Sequence, residues 1–274
     1  MDAVNRPTDW APLFPWPTAA SHKHARGRLG VVSGAMGSTG AARLAARAGL
    51  RAGAGLVKVF CPPDALPVLA VALEAVMLAP FISAEDLVQT SEMMDAMVIG
   101  PAVGLTEATL ANVAALGRSR VALVLDADAL TVFRGRTDEL LVCLDPVDVL
   151  TPHEGEFERL FPDLLAEGRQ KAAVEAARRA GAVVILKGAH SVIAAPDGRW
   201  TVNHTATPWL ATAGTGDVLA GITGALLAQG MPSYEAACAA TWIHGEAARR
   251  FGPGLISEDL PDMIPAVLAA LLPG

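Results

Sequence analysis

In "TAGTGDVLAG" a Thr/Gly turn carrying one acid opens into an apolar helix rich in Ala and Leu. Gly214, Thr215 and Gly216 let several backbone N–H groups converge, and the helix that follows adds the positive end of its dipole. Such a turn suits a phosphoryl group in transit, whose charge spreads over its oxygens. Asp217 within it has two readings. It is a first-turn acid that stabilises the helix by ~1 kcal/mol, or a general base that takes a proton from a hydroxyl attacking phosphorus. "LTPHEGEFERLF" crowds His153, Glu154, Glu156 and Glu158 into the start of a helix just past a strand-like "VDVL". One account is carboxylates on a helix dipole with an exposed histidine. The other has Glu156 orienting a magnesium ion through water and His153 touching a ligand.

"ILKGAHSVIA" places Lys187, Gly188, His190 and Ser191 at a strand–turn–strand junction. Gly188 would let a ligand come close to the backbone, and Ser191 would offer a hydroxyl to phosphate oxygens. "GAMGSTGAA" (34–42) and "GPAVG" (100–104) are further Gly-rich turns between strand and helix, neither with the G-x-G-x-x-G spacing of a dinucleotide fold. "LDADAL" sets Asp126 and Asp128 just past a strand, where one of them can cap a helix.

The elements that must position these residues follow a rhythm that begins at Arg28. "RLGVVSG", "LVKVFCP", "AVMLAP", "AMVIGP", "VALVLDA", "VDVLTP" and "AVVILKG" read as strands, with helical stretches such as "EATLANVAAL" and "QKAAVEAARRAG" between several of them. Continuous Val/Ile/Leu runs alternating with helices indicate a parallel sheet covered on both faces. "SVIAAPDGRWTVN" carries Asp197-Gly198 between two β-prone runs and predicts a late antiparallel hairpin, followed after the Gly-rich turn by three helical segments. The expectation is one three-layer, doubly wound α/β domain over 28–274, preceded by a Pro- and Trp-rich arm (1–27) lying on its surface. Five of the turns fall at the carboxyl ends of predicted parallel strands, which implies a wide cleft with two kinds of occupant, one of them phosphorylated.

Composition narrows the partners. With 274 residues, 52% apolar and 18% charged, the chain can bury a sizeable core. A net charge of −7 with no Lys/Arg run argues against a nucleic-acid surface, so phosphates must be met locally by amides and one or two cations. Cys61, Cys143 and Cys238 sit in apolar stretches without metal-like spacing and read as buried small hydrophobes. Neither a signal peptide nor a membrane span is expected, and a reducing cytoplasm is the natural compartment.

The order of "SHKHARGRLGVVSG", "GAARLAARAGLRAGAGLV", "VIGPAVG", "LVLDADAL", "LTPHEGEFERL", "VVILKGAHSVIA" and "LATAGTGDVLAGITGALLAQG" resembles the ADP-dependent (S)-NAD(P)H-hydrate dehydratases, relatives of the ribokinase-like kinases. The likeness runs from about His22 to "HGEAARRFGPGLISEDLP". It implies a ribokinase-like fold and a repair reaction in which the hydroxyl of hydrated NADH or NADPH is phosphorylated from ADP and then leaves as phosphate. By the same resemblance Asp217 would be the base, within an anion hole at Gly214, Thr215 and Gly216. Lys187, Gly188, Ala189, His190, Ser191 and Gly216 would contact ADP or AMP. Ala41, Gly104 and His153, with Asp217, would contact the hydrate, and Glu156 would position Mg²⁺. The chain reads Ala102 where the family pattern GPGxG has its second Gly, and Ser191 where it usually has Thr. A homo-oligomer and an NAD(P)H-hydrate epimerase, fused or separate, are the implied partners.

Two other readings compete. A ribokinase-like kinase of a vitamin-precursor alcohol, of the hydroxyethylthiazole type, would keep the phosphoryl on its product. A nucleotide-binding regulator would need the amide pocket but not Asp217.

Overall fold

A strand that is apolar on both faces is stable only between two helical layers, and such strands build the middle of the sheet. The computed structural model describes residues 3–272; residues 1 and 2 of the arm and 273 and 274 of the expected domain lie outside the described residues. The strands are β1 (Arg28–Val32), β2 (Leu56–Cys61), β3 (Met77–Pro80), β4 (Ala96–Ile99), β5 (Ala122–Leu125), β6 (Val149–Leu150), β7 (Val183–Leu186), β8 (Ser191–Ala194) and β9 (Trp200–Asn203). They lie in the order β3-β2-β1-β4-β5-β6-β7-β8-β9. Pairing is parallel from β3 to β7 and antiparallel for β7-β8 and β8-β9. This is the doubly wound sheet with a late antiparallel edge that the sequence pattern predicts.

Strand order fixes where a ligand can go. The chain runs outward from β1 through β2 to β3, then returns to place β4 on the other side of β1. That reversal leaves a crevice beyond the carboxyl ends of β1 and β4. Register carries Val31, Val98, Val124 and Val149 across neighbouring strands, and all four join one core cluster. Their sequence neighbours Val32, Met97, Leu123, Leu125 and Leu150 join the opposite cluster with Phe60, Phe133, Phe157 and Phe161. The period-2 alternation of a strand therefore feeds two cores at once.

The helix Thr215–Ala228 lies against β1, β4 and β5 and is buried at every residue from Val218 to Ala228. A helix apolar all round belongs inside. Its placement over the strand-order reversal aims its N-terminus at the crevice.

The N-terminal stretch does more than lie on the surface. Asn5 N–H donates to the Val202 carbonyl, and Asn5 Nδ2 donates to Asn203 Oδ1 at 3.0 Å and the Cys238 carbonyl at 2.8 Å. Trp10, 1% exposed, donates through Nε1 to Asn5 Oδ1 and packs on Trp242. Truncating a core tryptophan costs about 3–5 kcal/mol, so the arm is part of the fold. Cys61 and Cys238 are buried as expected, whereas Cys143 is half-buried, its thiol donating to the Glu139 carbonyl.

Candidate active site

Asp217 occupies the first turn of the Thr215–Ala228 helix, whose N-cap is Gly214 at φ +90°, a conformation that a side chain would strain. Thr215 Oγ1 donates to the carbonyls of Leu210 (3.0 Å) and Thr212 (3.2 Å), and Ser257 Oγ donates to the Ala213 carbonyl (2.8 Å). These bonds fix the turn from behind. No side chain caps the terminus, so the first-turn N–H groups of Thr215, Gly216 and Asp217 have no partner among the described residues. Asp217 is not that cap. Its carboxyl is pushed up to about 6, first by burial and then by the neighbouring Asp126 carboxylate, against the pull of Lys187. It thus remains ionised at neutral pH while being more basic than an exposed carboxylate.

Lys187, just past β7, donates from Nζ to Asp126 Oδ1 at 2.6 Å and stands 3.9 Å from Glu156 Oε2. Asp126 is 2% exposed, at the end of β5. A β-carbon built on Gly216 would lie 3.5 Å from both Asp126 Oδ2 and Lys187 Nζ, which places this ion pair directly beneath the amide turn. Glu156 is buried too, and burial raises its carboxyl against the attraction of Lys187. Three carboxylates therefore surround one lysine. A nucleotide diphosphate arriving there brings further negative charge and calls for a divalent cation.

Among the described residues no group of three or more His, Cys, Asp or Glu could hold a metal ion. That donor set still fits Mg²⁺, which keeps several waters and takes one or two carboxylates plus phosphate oxygens. Glu156 and Asp126, both beside Lys187, are the carboxylates that could hold such an ion through water.

His153 has a structural duty. Its Nδ1 accepts from the N–H groups of Gly155 (3.0 Å) and Glu156 (3.3 Å), while Glu156 Oε2 accepts from His153 N–H (2.8 Å), forming a capping box for the helix Glu154–Leu160. A parallel bridge joins His153 to Lys187, so cap and lysine move together. The other face of the imidazole, half exposed, lines a cavity of about 740 Å³. Lys187, Gly188, Ala189, His190, Ser191, Thr215 and Gly216 line the same cavity, so the expected nucleotide-binding residues are brought together around one space. Ser191 Oγ is exchanged with Gly188, accepting from its N–H at 3.3 Å and donating to its carbonyl at 3.2 Å; it shapes the loop and is not a free phosphate donor.

Of the expected hydrate contacts, His153 lines the cavity with the expected nucleotide-binding residues, whereas Ala41 and Gly104 follow β1 and β4 at the crevice. Ala41 opens the helix Gly40–Arg51 after β1, and Leu44 of that helix reaches the Gly214 turn. Gly104 follows β4, but its N–H donates to Asp128 Oδ2 (2.8 Å) and its carbonyl accepts from Thr109 Oγ1 (2.7 Å). Its N–H is therefore already taken, leaving the bare Cα and the second lone pair of the carbonyl for a ligand. Ala102 in that turn has φ +56°, and Ala127, between Asp126 and Asp128, has φ 48° and ψ −115°. Non-glycine residues held there cost on the order of 1–3 kcal/mol each and cluster at functional sites. The Ala127 kink sends Asp126 to Lys187 and Asp128 to the 100–104 turn.

Two histidines escaped sequence reasoning, His244 in the cavity lining and His204 beside the cavity residue His190. His244 is buried in the helix Ser233–Phe251, its value pushed down to about 4 by burial, and its Nε2 has no partner among the described residues. His204 stands with Nδ1 3.1 Å from His190 Nδ1. A histidine between apolar neighbours in "TWIHGEAA" offered the only signal for the first.

Comparison with known proteins bears on this geometry. A sequence family described as NAD(P)H-hydrate dehydratase matches residues 29–264. The ADP-dependent (S)-NAD(P)H-hydrate dehydratase of Neisseria meningitidis serogroup B is 38% identical over 83% of this chain and 78% of its own length. The bifunctional NAD(P)H-hydrate repair enzyme Nnr of Salinibacter ruber is 39% identical over 97% of this chain but 53% of its own, so the chain spans about half the length of such bifunctional relatives. The crystal structure of the ADP/ATP-dependent NAD(P)H-hydrate dehydratase from Bacillus subtilis, co-crystallized with ATP/Mg²⁺, superposes with a TM-score of 0.84 at 26% identity, covering 99% of both chains. The chain belongs to the NAD(P)H-hydrate dehydratase family.

Proposed function

We propose that the protein restores NADH and NADPH from the S-epimers of their hydrates at the expense of ADP, releasing AMP and phosphate. The observation that carries this reading is Asp217 in a helix first turn whose amides are unpaired, with Gly216 of that turn over Lys187 and Asp126 at the wall of the cavity. A kinase-like phosphoryl relay needs such a proton acceptor and anion cradle beside the donor's cavity, with the acceptor hydroxyl brought in from the crevice.

Hydroxide is a poor leaving group. Asp217 takes the proton of the hydrate hydroxyl as its oxygen attacks the β-phosphorus of ADP, and the bond from that phosphorus to the bridging oxygen breaks to leave AMP. The amides of Thr215, Gly216 and Asp217 hold the phosphoryl oxygens in flight. The ring nitrogen's lone pair then expels phosphate from the neighbouring carbon, and loss of a proton from the next carbon regenerates the ring double bond. Lys187 steadies the diphosphate. Glu156 and Asp126 are the side chains that would hold Mg²⁺ through water, and the ion would supply positive charge to the diphosphate oxygens. A hydrate epimerase, on the same or another chain, would supply the S-epimer, and a homo-oligomer is the expected assembly.

Incubation with chemically hydrated NADH and ADP tests the reading. The reduced-nicotinamide absorbance returns, with AMP and phosphate released in equal amounts. If the band never returns while a vitamin-precursor alcohol becomes phosphorylated, the chain is a kinase instead.

A further inference from the structure

The 186–191 loop owes its shape to a residue outside it. Arg169, the first residue of the helix Arg169–Ala180, donates from Nη2 to the carbonyls of Leu186 (3.0 Å), Lys187 (3.0 Å) and His190 (3.4 Å). Its Nη1 pairs with Glu154 in the first turn of the helix that also carries Glu156. A β-carbon on Gly188 would come within 2.6 Å of Arg169 Nη2. Gly188 leaves the guanidinium room to lie against the loop, and it lines the cavity as well.

By holding the Leu186 and Lys187 carbonyls at one end of the loop and the His190 carbonyl at the other, Arg169 clamps the turn between them. Lys187 N–H is taken by the Pro152 carbonyl and Gly188 N–H by Ser191 Oγ. The N–H groups of Ala189 and His190 are left without a partner among the described residues, in a stretch that lines the cavity. Successive free amides beside a lysine make an anion-binding concavity.

We propose that Arg169 is the positioning residue that turns this loop into a receiver for the nucleotide diphosphate; this rests on ADP occupying the cavity. It acts through the loop, because one planar, permanently charged guanidinium turns Nη2 to the carbonyls while Nη1 holds Glu154, a spread that a single ammonium nitrogen cannot match. ADP affinity, measured by titration calorimetry on the full chain, tests this without any turnover. Arg169→Ala should bind ADP about 10- to 100-fold more weakly. Guanidinium ion, added well below denaturing concentration and matched against sodium chloride, should restore part of the loss. Arg169→Lys keeps the charge and should still bind more weakly than wild type; it also serves if the alanine variant does not fold.

Three results overturn the proposal: wild-type affinity in Arg169→Ala, wild-type affinity in Arg169→Lys, or a loss that guanidinium does not relieve. Wild-type protein that fails to bind ADP would instead remove the nucleotide reading itself, and this inference with it.

Discussion

Replacing Asp126 with Asn should move the acid limb of the pH–rate profile downward. Asp217 stands at about 6 against an ordinary 3.8, a difference worth ~3 kcal/mol in favour of its protonated form. Burial is the largest cause and the Asp126 charge the next, with Lys187 opposing. The substitution leaves burial in place, removes the like charge, and frees Lys187 from its 2.6 Å partner to interact with Asp217. Both electrostatic changes favour the ionised carboxylate, so the midpoint falls by on the order of one pH unit without reaching the exposed value. The weaker base also lowers the plateau rate, by about 3- to 10-fold. The assay is kcat/KM for NADH recovery from its hydrate and ADP across pH. In wild type it rises with pH through about 6 as Asp217 loses its proton. A limb that stays near the wild-type position or moves up in Asp126→Asn would refute the electrostatic argument.

Two further predictions concern stability. Ala102, at φ +56°, holds a conformation that costs an L-residue ~1–2 kcal/mol. After the extra unfolded-state entropy of glycine, Ala102→Gly should still raise the melting temperature by about 2 °C, and a fall in a calorimetric scan would contradict it. Asp148 accepts from the N–H groups of Leu123 and Asp145, yet burial pushes it up to about 7. A carboxyl raised by folding contributes stability below its unfolded value of 3.8 and loses it as pH rises through about 7. Wild type should therefore lose ~4 kcal/mol relative to Asp148→Asn across that window. Urea unfolding that gives a pH-independent difference would rule this out.

The sheet was legible because it rests on local pattern. Runs such as "AMVIGP" and "VALVLDA" are apolar on both faces, and Asp197-Gly198 marks the β8–β9 hairpin. The turns that follow those strands line one end of the sheet because parallel strands all finish there. Pairings across the sheet were not legible. Asp126 and Lys187 lie 61 residues apart, and only the strand order sets one beneath Gly216 and against the other. Arg169 stood just outside the helical stretch read from "QKAAVEAARRAG" and drew no notice, since its carbonyl partners declare nothing in sequence. Ala127 carried no warning of left-handed backbone, because alanine ordinarily avoids it, whereas at Ala102 the one hint was the glycine of the family pattern. Trp10 read as surface because an aperiodic stretch gives no sign of what it packs against.

The most direct test replaces Asp217 with Asn and measures turnover and ADP affinity on the same preparation. If the carboxylate is the base beside the amide turn, NADH recovery falls by ~10²–10⁴ while ADP binds with nearly unchanged affinity. Turnover within about tenfold of wild type, well short of a general base's share, would show that this proton leaves by another route and would contradict the account at its centre.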